Sequence, residues 1–143
     1  MEKQMEMVRT FHDKINSPIS HKPHLLDPKY AEKLEEALKE CSAKVRDIMI
    51  EHDVLSIRIL LSLEEMAEWC HAHAQHDLIE VADAWADRLY VLLGDGVVTG
   101  MPAEPLFNAV HESNMTKEVG TKKGSKAIKG PNFKEPDITL ALS

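Results

Sequence analysis

Aromatic side chains make up only 5% of the 143 residues, and alternating runs of Val, Ile and Thr are few. Sheet sandwiches and barrels draw on both, so the chain is expected to be all-α. Cysteine is scarce too. Cys41 and Cys70 stand in helical patterns without CxxC spacing, which excludes a disulfide framework or a zinc knuckle and predicts two buried thiols. Positive charge is in short supply: Lys and Arg number 17 against 24 Asp and Glu, a net charge of −7. A general nucleic-acid binder would be basic overall or carry a strong basic face. No apolar run approaches the ~20 residues that span a bilayer, and the opening MEKQMEMVRT has no secretory pattern. A cytoplasmic protein with neither nucleic-acid nor membrane partners is the expectation. The length suits a single domain, 1–143, with a modest core.

Five helices are expected along the chain. Met5, Val8, Phe11 or His12, and Ile15 recur at three- and four-residue spacing, predicting an amphipathic helix over 2–15 that stops before Asn16-Ser17-Pro18. SPISHKPHLLDP reads as an extended crossing. Asp27 before Pro28 pairs a cap acceptor with a proline suited to a first turn, and the helix it starts buries Leu34, Ala37 or Leu38, Cys41, Val45 and Ile48. Glu32, Lys33, Glu35, Glu36, Lys39, Glu40 and Lys44 cover its other face. A third, more deeply buried helix starts at Asp53 or Val54 and ends in the polar His71-Ala-His-Ala-Gln-His76. A fourth starts at Asp77, which with Glu80 resembles a capping box, and stops at Gly94. GDGVVTG is then a turn cluster. Pro102 and Pro105 introduce a fifth helix, which ends near Asn114. From about residue 117 the tail is basic, rich in lysine and irregular, with Lys122, Lys123 and Lys126 as solvated charges.

Within 59–87 there is no Lys or Arg, yet seven acids stand among core-forming residues such as Leu60, Leu63, Met66, Trp69, Ile79, Val81 and Trp85. They are Glu64, Glu65, Glu68, Asp77, Glu80, Asp83 and Asp87. Buried carboxylates without basic partners stay protonated or hold a cation. At 100° per residue, Glu64 and Glu68 lie about 40° apart, and Glu80, Asp83 and Asp87 span about 60°. Two antiparallel helices at ~8–10 Å separation would face these stripes toward one another. Oxygen donors favour magnesium, with manganese as a substitute, over zinc or copper. Asp77 reads as a cap, and Glu80 either as its reciprocal partner or as part of the stripe. His71, His73 and His76, at a helix end, are expected to be exposed or to oppose the helix dipole rather than to bind zinc. Trp69 and Trp85 are core or interface residues, with flanking a base as the other option. Glu68-Trp69-Cys70-His71 is one Glu-x-x-His, where a di-iron bundle needs two.

LEEMAE, DLIEVADAWADRLYV and the late SNMTK…KAIKGPNFKEPDI together resemble the MazG-like all-α nucleoside triphosphate pyrophosphohydrolases, and within them the phosphoribosyl-ATP-pyrophosphohydrolase-like branch with its dUTP-hydrolysing members. The opening VRTFHDKINSPISHKP is similar too, leaving about 28–58 without a counterpart. The resemblance implies a magnesium-dependent reaction of a (d)NTP with water to give (d)NMP and pyrophosphate in nucleotide-pool house-cleaning. Phosphoribosyl-ATP hydrolysis is one alternative, and a non-catalytic nucleotide-binding or helical interaction module is another. Metal ligands carry over as Glu64, Glu65 and Glu68 on the third helix. The broader pattern's acid three residues before Asp87 is here Ala84, so Glu80-x-x-Asp83 one turn earlier takes its place, with Asp83 leading and Glu80 and Asp87 competing. Glu65 is the expected general base. His12, Asn114, Lys117 and Lys129 are expected on the substrate side, and a homodimer or larger assembly is expected to cover the apolar helices.

Overall fold

The computed structural model describes residues 1–49, 51, 53–121 and 126–143, so Lys122 and Lys123 lie outside the described residues. It is all-helical, with six helices among those residues: α1 (Glu2–Lys14), α2 (Ala31–Ile48), α3 (Val54–Ala74), α4 (Leu78–Thr99), α5 (Ala103–Asn114) and the short α6 (Ile138–Leu142). The chain divides into two compact units, 22–99 and 1–21 with 100–143.

In the unit formed by 22–99, α3 packs against both α2 and α4. Asp53 fixes where α3 begins: its carboxylate accepts from Ser56 N (2.9 Å) and Ser56 Oγ (2.6 Å), satisfying an otherwise orphaned amide of the first turn. Asp27 accepts from Lys29 N (3.0 Å), so it caps a turn and the helix proper begins only at Ala31. The face that α2 turns inward keeps Leu38 and Val45 of the expected set but is rotated away from the rest. Ala31, Glu35, Leu38, Ser42, Val45 and Met49 are covered, whereas Leu34, Cys41 and Ile48 are exposed. Both sets repeat at three- and four-residue spacing, and packing on α3 chose between them. Cys41 is thus an exposed thiol and Cys70 a half-buried one.

Gly94 does not stop α4, which continues through Gly94-Asp95-Gly96 to Thr99 and ends where Gly100 takes the left-handed conformation (φ 68°). Gly94 makes room for Arg58 instead. A Cβ at 94 would sit 2.6 Å from Arg58 Nη2, and that guanidinium donates to Asp95 Oδ1 (2.6 Å) and to the Val91 carbonyl. Gly94→Ala gains roughly 1 kcal/mol of helix propensity but displaces a half-buried charged donor, so a net loss of about 1–2 kcal/mol is expected by urea denaturation. In an Arg58→Ala background the same substitution should be neutral or stabilising, because nothing remains to displace.

The third helix is less deeply buried than its composition implies. On α3 only Ala67, Ala72 and His73 are buried, and on α4 only Val81 and Ala84. Ile79, Tyr90, Leu92 and Val97 are 77, 79, 63 and 81% exposed. The apolar excess of α4 goes largely unused within the chain.

In the unit formed by 1–21 and 100–143, α5 packs against α1 and α6. Gln4, Met7, Phe11 and Ile15 are the covered face of α1, while Met5 and Val8 are exposed, again a rotation of the expected stripe. Asn16 in the left-handed region (φ 55°) ends the helix. The tail is not irregular throughout. Glu118 and Ile128 form an antiparallel bridge, Ser113 Oγ donates to Lys134 O (2.7 Å), and Lys134 N donates to Thr116 Oγ1 (2.9 Å). The SNMT turn therefore fastens the KGPNFK segment to the end of α5.

Candidate active site

Of the seven acids, Glu65 alone is both well covered and unpartnered: its Oε2 is buried and lacks a hydrogen bond. Loss of water is the main reason its carboxyl titrates above the ordinary range, and the negative charges of Glu68, Asp87, Glu64 and Asp83 push the same way. The contribution of Asp83 and Asp87 places the α4 stripe within electrostatic reach of α3, as the hairpin geometry predicts. Glu64 has the basic partner that the sequence around it lacks, because Arg46 of α2 pairs with it. Glu68, Glu80, Asp83 and Asp87 are exposed. The expectation of a wholly buried, unpaired cluster therefore holds at one position, since Glu64 is paired and those four acids are open to solvent.

Asp77 is a cap, accepting from Ile79 N (2.9 Å) and Glu80 N (3.2 Å). Its own N–H goes to Ala72 O (3.1 Å), so Glu80 has no capping-box partner to bond and its carboxylate is left for the stripe. Glu80, Asp83 and Glu68 line one open cavity of about 570 Å³, with the buried Ala67, Ala72 and Ala84 in the same lining. Asp87 does not line it. The position of the missing acid is a packing position: Ala84 is 5% exposed, and its small side chain belongs to the cavity's apolar part.

Two further lining residues, Glu35 and Lys39, were expected only on the solvated face of α2, and they stand with His71 in the same lining. Glu35, expected on a solvated face, has a side chain only 13% exposed; it accepts from Lys39 Nζ (2.5 Å) and bonds His71 Nδ1 (3.1 Å). The hydrogen bond from Lys39 first, and then that with His71, hold its carboxyl below the ordinary range against the opposing effect of burial. No spacing signal separates Glu35 from Glu32, Glu36 or Glu40, because only the rotation of α2 brings Glu35 to the cavity and leaves the others outside.

The histidines divide. His71 is exposed and paired with Glu35, and His76 occupies a left-handed turn (φ 57°). His73, expected to be exposed or to oppose the helix dipole, is 5% exposed, bonds Trp69 O through Nδ1 (2.8 Å) and meets the Trp69 ring edge-on at 4.7 Å. The Arg88 guanidinium stacks over the other ring of that pair, 4.5 Å from the Trp69 centroid. Trp69 is thus a packing residue, and Trp85 is 47% exposed.

The residues expected on the substrate side all belong to the other unit. His12 bonds Pro18 O through Nδ1 (3.0 Å), tying down the chain that leaves α1. Asn114 O accepts from Lys117 N (3.0 Å) at the end of α5. Lys117 lines an open cavity with Lys14, Thr116 and Asn132. Lys129 is committed to Glu135 (2.8 Å) and to the Phe133 ring (4.5 Å).

Glu65 provides a pH signature. Its folded pKa is raised, so the native state holds a proton that the unfolded chain has released, and stability falls as pH rises through the folded value. Glu65→Gln should raise the melting temperature of the metal-free protein at pH 7, with the advantage over wild type vanishing as pH falls to the unfolded-state range near 4.3. Thermal melts across pH 4–8 read this directly.

No group of three or more His, Cys, Asp or Glu among the described residues is gathered tightly enough to enclose a metal ion. The donor set nevertheless suits a hard cation: carboxylate oxygens from two helices, one with a covered oxygen that has no partner. No helix among the described residues is long and apolar enough to cross a membrane. Residues 51–114 match the phosphoribosyl-ATP pyrophosphohydrolase family. No curated protein and no solved structure matches the chain significantly.

Proposed function

We propose that this chain, whose residues 51–114 match the phosphoribosyl-ATP pyrophosphohydrolase family, is a magnesium-dependent enzyme of the MazG-like all-α type, converting (d)NTP and water to (d)NMP and pyrophosphate. The family supports a pyrophosphohydrolase acting on nucleotides. The observation that carries the site is the convergence of Glu68, Glu80 and Asp83 on one cavity, with Glu65 covered and short of a partner. Glu68, Glu80 and Asp83 would hold the cation, while Glu65 and Asp87 lie outside the cavity lining, Asp87 adding negative potential at Glu65. Bound there, magnesium would neutralise charge developing at the α-phosphorus and lower the pKa of the attacking water. Glu65, with its raised proton affinity, accepts the proton of that water. Glu64, held by Arg46, must give up that partner to join the ligands.

At Ala84 the chain departs from the broader pattern of acids, and Arg88 follows on the same helix. Both have structural duties, one in the apolar lining and one stacked on Trp69, so neither argues for a degenerate site. A homodimer would cover the exposed apolar residues of α4. Phosphoribosyl-ATP is the second substrate reading, because the matched family is named for it.

Incubation with canonical and modified dNTPs and with phosphoribosyl-ATP, each with magnesium, tests the proposal by pyrophosphate release. Turnover of dNTPs alone supports house-cleaning, turnover of phosphoribosyl-ATP alone shifts the substrate, and no release from any substrate removes the enzyme. Without turnover, magnesium is still expected to raise the melting temperature of wild type, and EDTA to reverse it.

A further inference from the structure

The cavity that holds Glu68, Glu80 and Asp83 has a wall from a part of the chain with no counterpart in the resemblance described above. That wall is Glu35 and Lys39 of α2, with His71 of α3 closing the corner. Lys39 is the permanent cation of the lining, and its ammonium is bonded to the largely covered Glu35 carboxylate at 2.5 Å. Glu35 in turn shares its second oxygen with His71 Nδ1 at 3.1 Å. Lysine side chains this exposed (68%) ordinarily sample many rotamers. Here a largely covered carboxylate of the same lining holds the ammonium.

A nucleoside triphosphate brings three to four negative charges, and hydrolysis at its α-phosphorus leaves pyrophosphate carrying the charge that the leaving oxygen gains. An all-carboxylate lining repels those outer phosphates. From this placement we propose that α2 supplies the phosphate-binding wall: Lys39 contacts the terminal phosphates of the substrate and the pyrophosphate product, and Glu35 is the positioning residue that holds Lys39 toward the cavity. The proposal rests on the pyrophosphohydrolase reading for its substrate, but its central test does not require turnover.

The test is calorimetric titration of the full chain with pyrophosphate in the presence of magnesium. Lys39→Ala is expected to weaken binding at least tenfold, and Lys39→Arg to restore most of it. Binding of a nucleoside monophosphate, which lacks the outer phosphates, should change less than twofold. Glu35→Gln keeps the side-chain shape while removing the charge that anchors Lys39, and it should weaken pyrophosphate binding by a smaller factor. If hydrolysis is observed, Lys39→Ala raises KM for the triphosphate more than it lowers kcat. Circular dichroism of the variants should match wild type, since Lys39 is exposed. Wild-type protein that fails to bind magnesium pyrophosphate, or Lys39→Ala that binds it as wild type does, overturns the inference. Lys39-dependent pyrophosphate binding without hydrolysis of any triphosphate leaves the inference standing and removes the catalytic reading alone.

Discussion

Glu68→Gln is expected to lower pyrophosphate release by at least about a hundredfold, the scale on which removal of one group that stabilises transition-state charge acts. Glu68 lines the cavity beside Glu80 and Asp83 and is exposed, so the isosteric amide leaves packing untouched and stability should move by no more than ~0.5 kcal/mol. The loss should appear in kcat and be accompanied by loss of the magnesium-induced rise in melting temperature. Asp83→Asn should behave alike. Asp87→Asn, outside the lining, should cost less than about tenfold, acting through the proton affinity of Glu65. A Glu68→Gln enzyme as active as wild type would place the chemistry elsewhere, and an Asp87→Asn enzyme as impaired as Glu68→Gln would shift the metal toward the other end of the stripe.

Ala84→Glu, which restores the acid of the broader pattern, is expected to destabilise the protein by about 2–4 kcal/mol rather than to improve catalysis. Ala84 is 5% exposed, in a lining shared with buried Ala67 and Ala72. A glutamate there must either bury its charge next to Asp83 and Glu80 or push the helices apart. The measurement is denaturant unfolding at pH 7, repeated at pH 5, where protonation of the introduced acid should return part of the loss. Ala84→Ser, similar in volume, should cost less than ~1.5 kcal/mol. An unchanged midpoint in Ala84→Glu would show that position 84 has room for a carboxylate and that the site tolerates either placement of its fourth acid.

The boundaries of α3 and α5 follow from local chemistry. Asp53 and Pro102 stand where a helix start needs an acceptor or a fixed φ, and the structure starts α3 and α5 at the next residue. Asp77 likewise meets its cap bonds as expected. Gly94 misled because a glycine within a helix and a glycine after one look alike in a linear sequence. The difference is made by Arg58, thirty-six residues earlier, whose guanidinium occupies the space a side chain would fill. His73 misled for a similar reason: a histidine near a helix end is usually exposed, but here Trp69 and Arg88 build a packed cluster around that turn.

The acidic residues of 59–87 were evident because charged side chains without counterions are costly wherever water is scarce. By itself the sequence determined the helical class, the capped starts of α3 and α4, and the stripes Glu64-Glu65-Glu68 and Glu80-Asp83-Asp87. Each of these depends on residues within one or two turns of one another, and helical periodicity carries that information. Tertiary structure decided which of two equally periodic faces α2 and α1 bury, because the choice belongs to the partner helix. It decided that Arg46 pairs with Glu64, that Glu65 alone is left covered and unpartnered, and that Glu80 and Asp83, rather than Asp87, share a cavity with Glu68. It also brought Glu35, Lys39 and His71 to that cavity. Ion pairing, desolvation and cavity lining depend on distances between residues far apart in the chain, and those distances exist only once the helices have packed.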